Sequence, residues 1–99
     1  MNAEDQVLDI AETLGDYLSS RVVASQLRKR IVESGHHVTL DFSNVKSVSD
    51  SFADEFFAVL VEKRGFNWFS TNIKVSGLSE YDRETILRAI ALRCNVEAA

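Results

Sequence analysis

Between Val38 and Arg64 the hydrophobic repeat changes from two residues to about 3.6, with no glycine or proline in between. Val38, Leu40 and Phe42 alternate with Thr39 and Asp41, the pattern of a half-buried strand. From Ser51 to Arg64 the apolar residues Phe52, Ala53, Phe56, Phe57, Val59 and Leu60 gather instead on one arc of a helical wheel, roughly 160° wide. A strand that passes through a polar loop into so broadly apolar a helix needs a second layer to bury that helix. The pairing predicts an α/β domain with helices packed on a sheet.

The flanking segments extend the pattern. Gln6 to Thr13 fits two templates: Val7, Asp9 and Ala11 alternate with Leu8, Ile10 and Glu12, while Val7, Ile10, Ala11 and Leu14 also form a helical stripe. The strand is the reading adopted here, with Gly15-Asp16 as its turn. Ser19-Ser20 offers an N-cap to a helix carrying Val23, Ala24, Leu27 and Ile31, and Gly35 is placed to close it. Gly65 stops the central helix, Phe66-Asn67-Trp68-Phe69 forms an aromatic connection, and Asn72 to Ser76 alternates as a strand. Ser79 caps a last helix with Glu80, Asp82 and Glu84 in its first turns and Arg88 and Arg93 toward its end. In that helix Ile86, Leu87, Ala89, Ile90 and Ala91 are expected to face inward. The order is β-α-β-α-β-α, which predicts a mixed sheet with parallel pairs and crossover helices. No linker or repeat divides the chain, so residues 1–99 are read as one domain.

Composition narrows the function. With 15 acids against 11 bases, the net charge of −4 removes the electrostatic attraction on which nucleic-acid binding depends. Arg28-Lys29-Arg30 reads as the solvated face of a helix. Cys94 is the single cysteine, read as an inert, half-buried thiol without disulfide or metal. Met1 to Asp5 has no signal-peptide character, and Phe52 to Val61 is too short and too interrupted by Asp54 and Glu55 to span a bilayer. These features predict a cytoplasmic protein with no membrane contact.

The loop before the central helix carries the most specific signal. Ser51, with Asp54 three residues on, reads as a capping box. A helix N-terminus also welcomes an anion, so a serine there can hold a phosphate. The run Leu40-Asp41-Phe42-Ser43-Asn44-Val45, followed by Ser49-x-Ser51-Phe52-Ala53-Asp54-Glu55-Phe56, resembles the STAS domains of anti-sigma-factor antagonists, and more closely the STAS-like family. Leu18-Ser19-Ser20-Arg21-x-x-Ala24 and Gly65-x-x-x-Phe69-x-x-x-Ile73 are similar to the same pattern. The resemblance implies a STAS-like sandwich and a bacterial regulatory module that binds a histidine-kinase-like ATPase. It also places Ser51 where several such domains are phosphorylated. Asp50 stands where the family often has serine, Ser49 where it often has aspartate, and Phe52 where a glycine usually leaves the serine open. Capping is therefore the favoured role for Ser51.

The expected contact surface is the loop from Val45 to Ser51, with Ser47, Ser49 and Asp50, and the adjoining helix edge at Asp54, Ala58 and Glu62. Phe66, Trp68 and Phe69 read first as a cover for the end of the sheet, with Trp68 the best candidate for exposure and so for an aromatic anchor. Catalytic machinery and cofactors are not expected: there is no Walker loop, dinucleotide fingerprint or triad spacing. Asp41, Asp50, Asp54 and Glu55 read as surface or capping acids rather than a magnesium site, and His36-His37 as a solvated turn. Two other readings stand beside this one. One is a homodimer formed through an edge strand or the Phe57/Val61 side of the central helix. The other is a phosphate- or nucleotide-binding domain using the helix start at Asp50–Ala53.

Overall fold

A computed structural model of the chain describes residues 6–35 and 37–94. Met1 to Asp5 and His36, read above for targeting and for the turn, lie outside the described residues. Gln6–Asp9 is a strand (β1) and Ile10–Leu14 a short helix (α1), so the doubly ambiguous segment is both in succession. The change occurs at Asp9, whose carboxylate accepts the Glu12 N–H at 3.2 Å and caps the new helix. Next come β2 (Tyr17–Leu18), α2 (Arg21–Ser34), β3 (Val38–Asp41) and β4 (Ser47–Val48). Helix α3 (Asp50–Ala53) runs through a π-helical segment, Asp54–Ala58, into α4 (Val59–Arg64). The chain ends with α5 (Phe66–Asn72), β5 (Ile73–Ser76) and α6 (Glu80–Cys94).

The main sheet has the order β1-β3-β5, and β2 pairs with β4 in a second, two-stranded ladder. Where a mixed sheet was expected, every strand pair among the described residues is parallel. Asp9, Asp41 and Ser76 fall side by side at the carboxyl ends of the three main strands.

Three of the expected helix boundaries are met by the predicted chemistry. Ser20 Oγ accepts the Val23 N–H, Ser79 Oγ accepts the Asp82 N–H, and Gly35 closes α2 with φ of 68°. The aromatic connection at Phe66–Phe69 is helical, part of α5, and is separated from α4 by Gly65 at φ 92°.

The core is dominated by Phe42, Phe52, Phe56, Phe57, Ile10, Leu40 and Leu60, all essentially without solvent contact. Phe56 and Phe57 meet edge-on with centroids 4.7 Å apart. Burying each such side chain stabilises the fold by about 1.5–3 kcal/mol. The π segment lies between α2 and α6 and is covered by both. That cover, continued over α4 by α5 and α6, overturns three surface expectations. Ala58, placed on the contact edge, is completely buried, and Phe57 and Val61, placed on a self-association face, are buried as well. In α6, Leu87 was expected to face inward but is 53% exposed. Arg28 is buried rather than solvated, because it is paired.

Candidate functional site

The loop from β3 to α3 is held at several points. Asp41 Oδ1 accepts the Ser43 N–H at 2.9 Å and the Ser43 hydroxyl at 2.6 Å. The hydroxyl first and the N–H second hold the Asp41 carboxyl below its usual range. Asp16 O accepts the N–H groups of Lys46 and Ser47, and Leu18 O accepts that of Ser49. The buried carboxylate of Asp82, on α6, accepts the Val48 N–H at 3.2 Å. Main-chain and side-chain bonds together therefore fix where the helix begins.

It begins two residues earlier than the capping box implied. Ser49 Oγ accepts the Phe52 N–H at 3.0 Å, so Ser49 is the N-cap and Ser51 stands inside the first turn. Freed from capping, the Ser51 hydroxyl has no hydrogen bond among the described residues, and its side chain is half-buried. It lines a hollow of about 260 Å³ together with Arg21, Asp50, Asp54, Arg88 and Leu92. Asp50 is highly exposed, with its carboxylate 3.5 Å from Arg88.

Beside the hollow is an ion-pair network linking α2, the π segment and α6. Arg93 grips Asp54 with Nε and Nη2, both at 2.8 Å, and Arg21 Nη1 reaches the same carboxylate at 2.8 Å. Arg28 holds Glu55 at 2.7 Å, and Glu62 meets Arg93 at 3.2 Å. The Arg93 guanidinium, then Arg21, pulls the Asp54 carboxyl down to about 2 against partial burial. Asp54 in turn raises the pKa of both Arg93 and Arg21. Cys94, half-buried beside this network, is raised chiefly by desolvation. Sequence reading missed the network because its partners lie 27 to 39 residues apart. The available signal was Arg21 and Arg28, seven residues apart and so on one face of α2, matching adjacent Asp54 and Glu55.

The structure thus brings Asp50, Ser51 and Asp54 together, while Ser49 serves as the cap of their helix. Ser47 is exposed on β4, and Glu62 is exposed on α4 but tied to Arg93. Ala58 is removed from the surface. Trp68 is not the exposed aromatic: it packs half-buried against the core with the Arg64 guanidinium 4.7 Å from its ring centroid. Phe66, at 59% exposure, is the open member of that group. Near the hollow the exposed apolar side chains are Val22, next to Arg21, and Leu92, on its wall.

The arrangement offers recognition chemistry: a serine hydroxyl, two arginines within one hollow, free carboxylate oxygen at Asp50 and an apolar border. Among the described residues no three His, Cys, Asp or Glu side chains converge to hold a metal ion. Asp9 and Asp41, in register at adjacent strand ends, are each engaged in a local turn or cap. Among the described residues no helix is long and apolar enough to cross a membrane.

A parallel sheet whose central strand passes through a fastened loop to a helix bearing a serine in its first turn is consistent with a STAS-like α/β module. The chain belongs to the family described as STAS-like domain of unknown function (DUF4325), whose model matches residues 23–83. No curated protein matches the chain, and no solved structure matches it.

Proposed function

We propose that this STAS-like domain is a non-catalytic regulatory module that binds a histidine-kinase-like ATPase through the surface around Ser51. The observation that carries this reading is the Ser51 hydroxyl, free of the capping role and set in a hollow between Arg21 and Arg88. A side chain needed only to start the helix would be engaged there, as Ser49 is. Arg88 and Asp50 give the surface both signs of charge, and Leu92 gives it an apolar contact at 78% exposure.

Phosphorylation of Ser51 is the regulatory step of the proposal. A phosphate adds about −1.5 to −2 charges. It stays compatible with the helix, whose dipole and first-turn N–H groups favour an anion. It sits beside Asp50 and Asp54, however, and Arg21 and Arg88 line the same space, so it competes for the cations that an acidic partner group would use. Partner release follows from that competition.

The test is an affinity capture from the native host with wild type, Ser51→Ala and Ser51→Asp as baits, followed by mass spectrometry. Recovery of a histidine-kinase-like ATPase with wild type and Ser51→Ala, and its loss with Ser51→Asp, is the expected outcome. Equal recovery by all three sinks the switch, and recovery of no ATPase by any bait sinks the partner assignment.

A further inference from the structure

Helices α2 and α4 bring together cations that lie far apart in the sequence. They border a hollow of about 280 Å³ whose floor is Leu60, Val32 and the buried Arg28. Its rim is Lys29, Glu33, Lys63 and Arg64, all exposed. Arg28 is already matched, by Glu55. Lys29, Lys63 and Arg64 have no carboxylate at ion-pair distance among the described residues, unlike Arg21, Arg88 and Arg93. The Arg64 guanidinium rests on the Trp68 ring at 4.7 Å, which fixes its place and leaves its charge unneutralised. The helix dipole accounts for basic residues in the last turn of α4, but Lys29 comes from the middle of α2. Three unmatched cations thus face one acid, in a chain whose net charge is −4. The hollow shares no lining residue with the one at Ser51, so it is a second surface, independent of the function proposed above.

We propose that this hollow docks an acidic segment of a second protein partner, with carboxylates on the rim cations and an aliphatic side chain between them on Val32 and Leu60. Charge complementarity selects this occupant. Like charges gathered on one rim repel, so each arriving carboxylate relieves repulsion as well as adding attraction. Clustered cations are a recurrent means of recognising acidic segments. The apolar floor asks for an aliphatic group as well as charge, and a hollow of this size takes side chains rather than a whole cofactor. Glu33 interrupts the rim. A nucleic acid, charged at every phosphate, would have to pass it, whereas a peptide can place its carboxylates to either side. The net negative charge of the chain opposes nucleic acid as well.

A nitrogen–proton correlation NMR titration of the full chain with the capped peptide Glu-Asp-Leu-Asp-Glu tests the proposal. Saturable shifts centred on Lys29, Val32, Lys63 and Arg64 are expected below about 5 mM peptide, weakening as salt rises from about 20 to about 200 mM. Lys29→Glu and Lys63→Glu, both at exposed positions, are each expected to weaken binding by about fivefold or more, while Lys74→Glu, on β5, binds as wild type. A peptide with alanine in place of leucine is expected to bind about threefold more weakly. Absence of saturable shifts in this range, shifts centred elsewhere, or equal weakening by Lys74→Glu overturns the proposal. Tighter binding of a single-stranded thymidine octamer at the same residues overturns it too, in favour of nucleic acid.

Discussion

Asp82 Oδ1 accepts the Val48 N–H at 3.2 Å across 34 residues of sequence, and both residues are buried. This bond ties the first turn of α6 to the strand just ahead of the Ser51 helix. Removing the acceptor strands a buried N–H, which costs about 1–3 kcal/mol. Asp82→Ala is therefore expected to lower unfolding free energy by that amount in urea titrations, with Asp82→Asn, which keeps an oxygen acceptor, losing less.

The N-cap assignment separates two serines that stand two residues apart. Ser49→Ala removes the acceptor of the Phe52 N–H and is expected to destabilise the fold by about 1 kcal/mol. Ser51→Ala removes no hydrogen bond among the described residues, and its unfolding curve is expected to overlay that of wild type. A larger loss at Ser51 than at Ser49 would restore the original capping box.

Asp54 makes stability depend on acid pH. Its folded pKa of about 2 lies below the unfolded value of 3.8, because of Arg93 and then Arg21. A depressed carboxylate pKa stabilises the folded state fully above the unfolded value, and the contribution is lost as pH falls through the folded one. After allowance for solvent screening of partly exposed pairs, it amounts to about 1–2 kcal/mol. The stability gap between wild type and Asp54→Asn is expected to be constant above about pH 5 and to close progressively toward pH 2. Thermal unfolding across pH 2 to 6 measures it, and a gap that persists at the acid end would contradict the assignment.

Gly77 is needed for two reasons at once. Its φ is 77°, and a Cβ there would lie 2.6 Å from Ser43 N and 2.8 Å from Ser43 Cα. Gly77→Ala is therefore expected to cost about 2 kcal/mol or more, through backbone strain and displacement of the Asp41–Ser43 turn. Chemical denaturation gives the number. Nuclear magnetic resonance should place the largest shifts at Ser43 and its neighbours.

The local signals were legible in the sequence where a single chemical requirement decided them. Gly35 and Ser79 each met a cap requirement with no competitor close by, and at Ser19-Ser20 the two candidates differ by only one residue in where the helix starts. Ser49 and Ser51 competed for one role, and the choice depended on the loop's bonds to Asp16, Leu18 and Asp82, which no local rule contains. The strand–loop–helix handover and the family resemblance followed from period and residue order alone. The faces of the central helix did not, because local periodicity cannot anticipate that α2 and α6 cover the segment from two sides and bury Ala58. Leu87 misled the reading because apolar character was equated with burial; of the three aromatics read as a cover, Phe66 and not Trp68 is the most exposed. The arginine network stayed hidden for the same reason as the Asp82 bond: tertiary proximity alone unites Arg21, Asp54 and Arg93.

The central claim is that the surface around Ser51, and no other, engages the ATPase partner. Calorimetric titration of the purified ATPase with wild type, Ser51→Asp and Leu92→Glu tests it most directly, with Leu87→Glu as a control on the opposite side of α6. The account predicts at least tenfold weaker binding for Ser51→Asp and Leu92→Glu, about 1.4 kcal/mol or more, and wild-type affinity for Leu87→Glu. Unchanged affinity for Ser51→Asp and Leu92→Glu, or loss with Leu87→Glu alone, would contradict it.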